Sequence, residues 1–99
     1  MPGNNVRYEI EIAKEVVEKD LPNLDNRLVK IIKKKLFRLE ENPFIGKPLT
    51  GALSNCCSLK ISKFRVIYKV FKDRLLILVV AIGKRDNLYI YKTAERRIE

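Results

Sequence analysis

The chain contains no histidine. That absence removes the usual acid–base side chain at neutral pH and the commonest metal ligand. Cysteine is scarce as well, and the two present, Cys56 and Cys57, are adjacent. Neighbouring residues form a disulfide only with strain, and two thiolates alone do not close a zinc site. They read as reduced thiols that only pack, in a cytoplasmic protein. Long apolar runs are missing: the longest, Leu75–Ile82, falls far short of the roughly 20 residues a membrane-spanning helix needs. The opening "MPGNNVRYE" has no apolar signal segment. No cofactor, no metal and no membrane association is expected.

Negative charge is the remaining shortage. Asp and Glu number 12 against 21 Lys and Arg, a net charge of +9 over 99 residues. Such an excess points to a polyanionic partner, either nucleic acid or an acidic protein. The apolar fraction of 46% excludes a disordered chain. The length suits one domain over residues 1–99.

What is present has clear periodicity. "VRYEIEI" alternates, with Tyr8, Ile10 and Ile12 on one side, and reads as a first strand. "AKEVVEKDL" sets Ala13, Val16, Val17 and Leu21 on one helical face before "LPNL" breaks it. Asn23 or Asp25 can cap a second helix. Its apolar stripe is Leu28, Ile31, Ile32, Leu36 and Leu39; Arg27, Lys30, Lys34 and Arg38 line the opposite face. Pro43 ends it near Asn42. "PFIGKPLTGAL" reads as a loop. Then come "CSLKI", "FRVIYKVF" and "RLLILVVAI", three strands of which the last, apolar on both faces, is expected at the centre of the sheet. The class is α+β: two N-terminal helices packed on one face of a small, mainly antiparallel sheet in the order β-α-α-β-β-β, with a short C-terminal tail or helix.

Two-residue turns at Ser62-Lys63 and Lys72-Asp73 set the register. The first pairs Ile61 with Phe64, Lys60 with Arg65 and Leu59 with Val66. Lys60 and Arg65 then share the face away from the core, with Cβ atoms about 4.5–5.5 Å apart. Like charges so placed either splay into solvent or hold an anion between them. The second hairpin brings residues 81–82 beside Phe64, and Arg85 to the same corner. Lys60, Lys63, Arg65, Lys84 and Arg85 therefore gather at one end of the sheet, where the tail bearing Tyr89 and Tyr91 begins. Arginine binds phosphate bidentately and can stabilise charge growing on a scissile phosphate. Crowded cations disfavour a further ammonium and favour a phenolate, so a histidine-free ribonuclease is chemically possible. A simple phosphate-binding patch is the competing interpretation.

The segments "LKISKFRVIYKV", "VAIGKRDNLYIYKTAERRI" and "ENPFIGKPLTGAL" resemble the RelE family of toxin–antitoxin systems, the most specific pieces being "FRVIY" and "GKR…Y…A..RI". The resemblance implies a ribosome-dependent endoribonuclease, an mRNA interferase. It would cut mRNA in the ribosomal A site by 2′-hydroxyl attack, contact ribosomal RNA and be restrained by a cognate acidic, RelB-like antitoxin. It also implies roles for individual residues. Arg65 would stabilise the transition state, and Arg85 would contact the phosphate and serve leaving-group protonation. Tyr91 would stack on a base and shape the attack, and Lys60 is a candidate base; Lys63 and Lys84 would bind RNA. Some members carry a second lysine where this chain has Ser58, which thins the basic cluster. The gyrase-poisoning ParE relatives share the fold without this Arg/Tyr set. A non-enzymatic RNA-binding protein is the third class.

Other residues read more plainly. Tyr89 is as much a packing residue as a site residue, and Arg96 and Arg97 cap a short terminal helix. Residues 87–99 hold few large apolar side chains, which suggests a weakly held lid carrying Tyr91.

Overall fold

The longest helix of the protein, α1 (Asn26–Glu41), starts where the Asp25 carboxylate accepts the Leu28 N–H at 2.8 Å. It stops at Asn42, ahead of Pro43. A computed structural model describes residues 7–98. The α1 stripe buries Ile32, Leu36 and Leu39, each such burial contributing about 1.5–3 kcal/mol. Ile31, expected in the stripe, is 41% exposed at its margin. Arg27, Lys30, Lys34 and Arg38 are exposed, as their periodicity requires.

The first helix differs more. Val16–Asp20 winds as a π-type turn that tightens into a 3₁₀ turn at Leu21–Asn23. The wider winding takes successive side chains off a 3.6-residue stripe, so Val16 is buried while Val17 is half exposed. Strand β1 (Glu9–Ile12) is shorter than expected, with Ile12 exposed; Val6 lies outside the described residues.

Among the described residues the sheet has five strands in the order β1-β5-β4-β3-β2. β2 is Lys47–Pro48, β3 Cys56–Ile61, β4 Phe64–Phe71 and β5 Leu76–Lys84. β1 pairs with β5 in parallel; the other pairings are antiparallel. The short strand β2 falls inside the stretch read as loop. β5 is interior and buried on both faces, yet the middle position belongs to β4. α1 covers one face, packed on Leu59, Ile61, Val66, Val79 and Ile82. The N-terminal turns share that face, with Val16 in the same apolar cluster as the α1 stripe, and the C-terminal segment is a helix rather than an irregular tail. It forms α2 (Tyr89–Ile98), which packs Ile90 and Ala94 on the other face against Ile67, Val80 and Ala81. Both sheet edges are modest: β2 is two residues with Pro48, and β1 presents exposed Glu9 and Glu11. Among the described residues no helix is long and apolar enough to cross a membrane.

The first hairpin has the expected register, with Ile61 opposite Phe64, Lys60 opposite Arg65 and Leu59 opposite Val66. The second does not. Its loop is Lys72–Leu75 rather than Lys72-Asp73, with Leu75 at a φ of 50°. A bulge follows where Tyr68 pairs Val79 but Ile67 pairs Ala81. A two-residue turn would set Phe64 opposite Ala81; Phe64 instead faces Lys84. Two residues of that slip come from the longer loop and one from the bulge.

Tyr68 fixes the loop after α1. It is fully buried on the sheet; its hydroxyl donates to the Pro43 carbonyl at 2.8 Å and accepts the Gly46 N–H at 3.1 Å. Gly46 must be glycine here, since an added Cβ would lie 2.7 Å from that hydroxyl. Tyr68→Phe leaves both backbone groups unmet and is expected to lower stability by about 1–3 kcal/mol in denaturant titration. A pH signature accompanies it. Burial raises the Tyr68 pKa far above the ordinary 10.0, and burial raises Cys56 and Cys57 above 9.0. Groups whose folded pKa is raised stabilise fully below their unfolded pKa and lose that contribution as pH climbs past it. Stability should fall above about pH 9, by up to about 1.4 kcal/mol per pH unit per group. The Tyr68→Phe variant should show a shallower decline above pH 10.

Candidate functional site

The two hairpins meet at one end of the sheet. The register places Gly83 opposite Arg65 and Lys84 opposite Phe64. The Arg85 N–H then donates to the Lys63 carbonyl at 2.8 Å, which ties the end of β5 to the β3–β4 turn. That turn owes its tightness to Ser62, which adopts a φ of 56°, a conformation short polar side chains tolerate better than branched ones.

Both guanidiniums are held. Arg65 Nη1 donates to Ser58 Oγ at 3.3 Å, and its Nε points to the Arg85 carbonyl at 3.5 Å. Arg85 Nη1 donates to the Ser62 carbonyl at 3.4 Å. Ser58 is only 3% exposed, so it acts as a post for Arg65 from within the sheet. The sequence marked that position as a missing cation; the register places Ser58 on the Arg65 face, and the structure adds the hydrogen bond between them.

Lys63, Phe64, Arg65, Lys84, Arg85 and Asp86 line an open concavity of about 530 Å³. Four cations there face one carboxylate, and Phe64 supplies an apolar wall. Such a pocket can receive a phosphodiester and resist its departure through charge-assisted hydrogen bonds. Lys60 stands outside this lining, exposed and opposite Arg65 on the same sheet face. Tyr91 also stands outside it, half-buried against the core beneath α2. Tyr89, by contrast, is 55% exposed.

α2 is not loosely held. Ile90 and Ala94 are buried, and Gly83 leaves the space that Ile90 fills, since a Cβ there would lie 3.0 Å from Ile90 Cδ1. Arg97 is not a cap but one half of a bidentate pair, with Nη1 2.8 Å from Asp20 Oδ2 and Nη2 3.1 Å from Oδ1. Arg97 Nη1 also donates to the Val80 carbonyl at 3.0 Å, while Asp20 Oδ2 accepts the Ile82 N–H at 2.9 Å. Hydrogen bonding to Asp20 raises the Arg97 pKa further above its ordinary value, against the opposite pull of burial. Beside the thin apolar content that suggests a weakly held lid stands a polar clasp, unreadable from hydropathy, which supplements the apolar contacts.

Comparison with known proteins gives a consistent picture. Residues 10–89 match the sequence model of the ParE toxin of type II toxin–antitoxin systems. A RelE-like toxin protein of Escherichia coli is 30% identical over 95 residues, covering 94% of this chain and 99% of its own. The mRNA interferase toxin RelE of Escherichia coli K12 is 30% identical over 69 residues, 68% of this chain and 73% of that one. In structure, a mutant Escherichia coli RelE toxin in the free state superposes with a TM-score of 0.80 at 24% identity, over 94% of this chain and 99% of that chain.

Proposed function

The chain belongs to the RelE/ParE family of type II toxin–antitoxin toxins, and from there we propose that it is a ribosome-dependent endoribonuclease that cleaves mRNA in the A site. The observation that carries this reading is the shared concavity of Arg65 and Arg85, each guanidinium braced by a protein oxygen. The relative described as an mRNA interferase supports it.

In the proposed reaction a base removes the 2′-hydroxyl proton and the resulting oxygen attacks the adjacent phosphorus. The P–O5′ bond breaks and the leaving oxygen takes a proton, giving a cyclic phosphate and a 5′-hydroxyl. Arg65 and Arg85 hold the phosphate and stabilise the charge that grows on it. Arg85 serves the leaving group, Lys60 is the candidate base from beside the pocket, and Tyr91 shapes the attack. Lys63 and Lys84 attract the RNA backbone. A cognate acidic antitoxin would neutralise this surface, and the cytoplasm is the matching compartment.

The matched family model is that of ParE, so gyrase inhibition is the reading to test against. On purified ribosomes programmed with mRNA, the protein is expected to cut within the A-site codon and to leave gyrase supercoiling unchanged. Blocked supercoiling with intact mRNA would reverse the assignment. Phosphate binding with neither effect would leave a binding protein.

A further inference from the structure

The outer face of α2 carries a feature that the cleavage pocket does not use. Tyr89 opens the helix more than half exposed. Arg96, two turns further on the same stripe, sets its guanidinium carbon 5.3 Å from the centre of the Tyr89 ring. Lys92 lies between them, and with Glu95 they line a shallow concavity of about 360 Å³. A cation over one face of an aromatic ring is favourable, and Tyr89, more than half exposed, still offers ring surface to a flat partner. The inner face of the same helix is fixed by Ile90, Ala94 and the Arg97–Asp20 pair, so the ring stands on a rigid support.

The location matters. Tyr89 follows three residues after Asp86, which lines the cationic concavity, so their Cα atoms are within about 11 Å. Lys84 and Arg85 lead up to the helix, and Lys92 and Arg96 continue along it. A backbone held at Arg65 and Arg85 can run onto this face. Glu95 selects the occupant: a carboxylate at the rim repels a bare phosphate or an acidic peptide but accepts the amino group of a base.

We propose that Tyr89, Lys92 and Arg96 form a stacking platform for an unpaired base of RNA neighbouring the nucleotide whose phosphate occupies the concavity. This inference rests on the ribonuclease reading and adds a contact distinct from that assigned to Tyr91. Single-stranded RNA is recognised in this way, by bases stacked on aromatic faces with cations along the backbone.

The chain has no tryptophan, so Tyr89→Trp introduces a single indole at the platform. The probe is a single-stranded 2′-O-methyl oligonucleotide, which lacks the nucleophilic hydroxyl and survives intact. Its binding is expected to quench the indole, and an abasic version should quench far less. Tyr89→Ala should weaken binding about tenfold, while Tyr89→Phe stays near the parent. Binding that depends on Arg85 but leaves the indole unchanged, with Tyr89→Ala equal to the parent, would overturn the platform and leave the ribonuclease reading intact. No binding at low ionic strength together with no ribosomal cleavage would remove both. An indole that responds to an acidic antitoxin peptide and not to RNA would make this face a protein contact, and the platform would fall.

Discussion

Arg65→Ala and Arg85→Ala are each expected to lower cleavage of ribosome-bound mRNA at least about a hundredfold, the usual scale for loss of a group that meets developing charge. Ser58 braces one guanidinium and the Ser62 carbonyl the other, so the proposed reaction would need little reorganisation of either. Arg85 is exposed, so its variant should keep the parent's unfolding midpoint. Arg65→Ala also leaves the buried Ser58 hydroxyl without its guanidinium, so its rate is compared at a temperature well below its own midpoint, which separates chemistry from folding. Lysine at either site keeps the charge but not the fork, and is expected to recover only a fraction of the rate. Single-turnover cleavage on programmed ribosomes measures this directly. A variant that cut as fast as the parent would strip that arginine of its role.

The second large effect is on stability. Asp20→Ala leaves the Arg97 guanidinium, 12% exposed, without its partner and removes the acceptor of the Ile82 N–H. Breaking one side of a largely buried ion pair costs about 3–5 kcal/mol. Denaturant titration should show that loss, and amide exchange over residues 89–98 should accelerate. Asp20→Asn, which keeps an acceptor oxygen, should lose less. A change below about 1 kcal/mol for Asp20→Ala would mean that apolar contacts alone hold α2.

The sequence resolved the parts of this site that depend on short range. Only Ser62 and Lys63 separate two alternating runs, so the pairing of Lys60 with Arg65 followed from counting. The second hairpin was opaque for a physical reason. Leu75 adopts a left-handed φ that branched apolar residues rarely take, and no Gly or Asn marks the loop; the bulge near Val80 lies in a uniformly apolar run with no alternation to break. Distance hid the rest. Asp20 and Arg97 are 77 positions apart, and neither carries a local sign of its partner. Ser58 reads as a deficit beside relatives with a lysine there; counting puts it on the Arg65 face but does not show that its hydroxyl accepts from that guanidinium. The parity of Tyr89 and Tyr91 could not be assigned until their segment was seen to be helical.

The bulge also decides the company Arg65 keeps. With a regular pleat Ile82 would stand opposite it; the extra residue puts Gly83 there instead.

The sheet edges bear on the life of the free molecule. Open strand edges recruit other chains and seed fibrils. Here β2 offers two residues, one of them Pro48 without an amide hydrogen, and β1 offers Glu9 and Glu11, whose like charges oppose a second copy laid alongside. A molecule parted from its partner is thus guarded against polymerising through its own backbone. Growth by strand addition therefore has no long uncharged edge among the described residues from which to start.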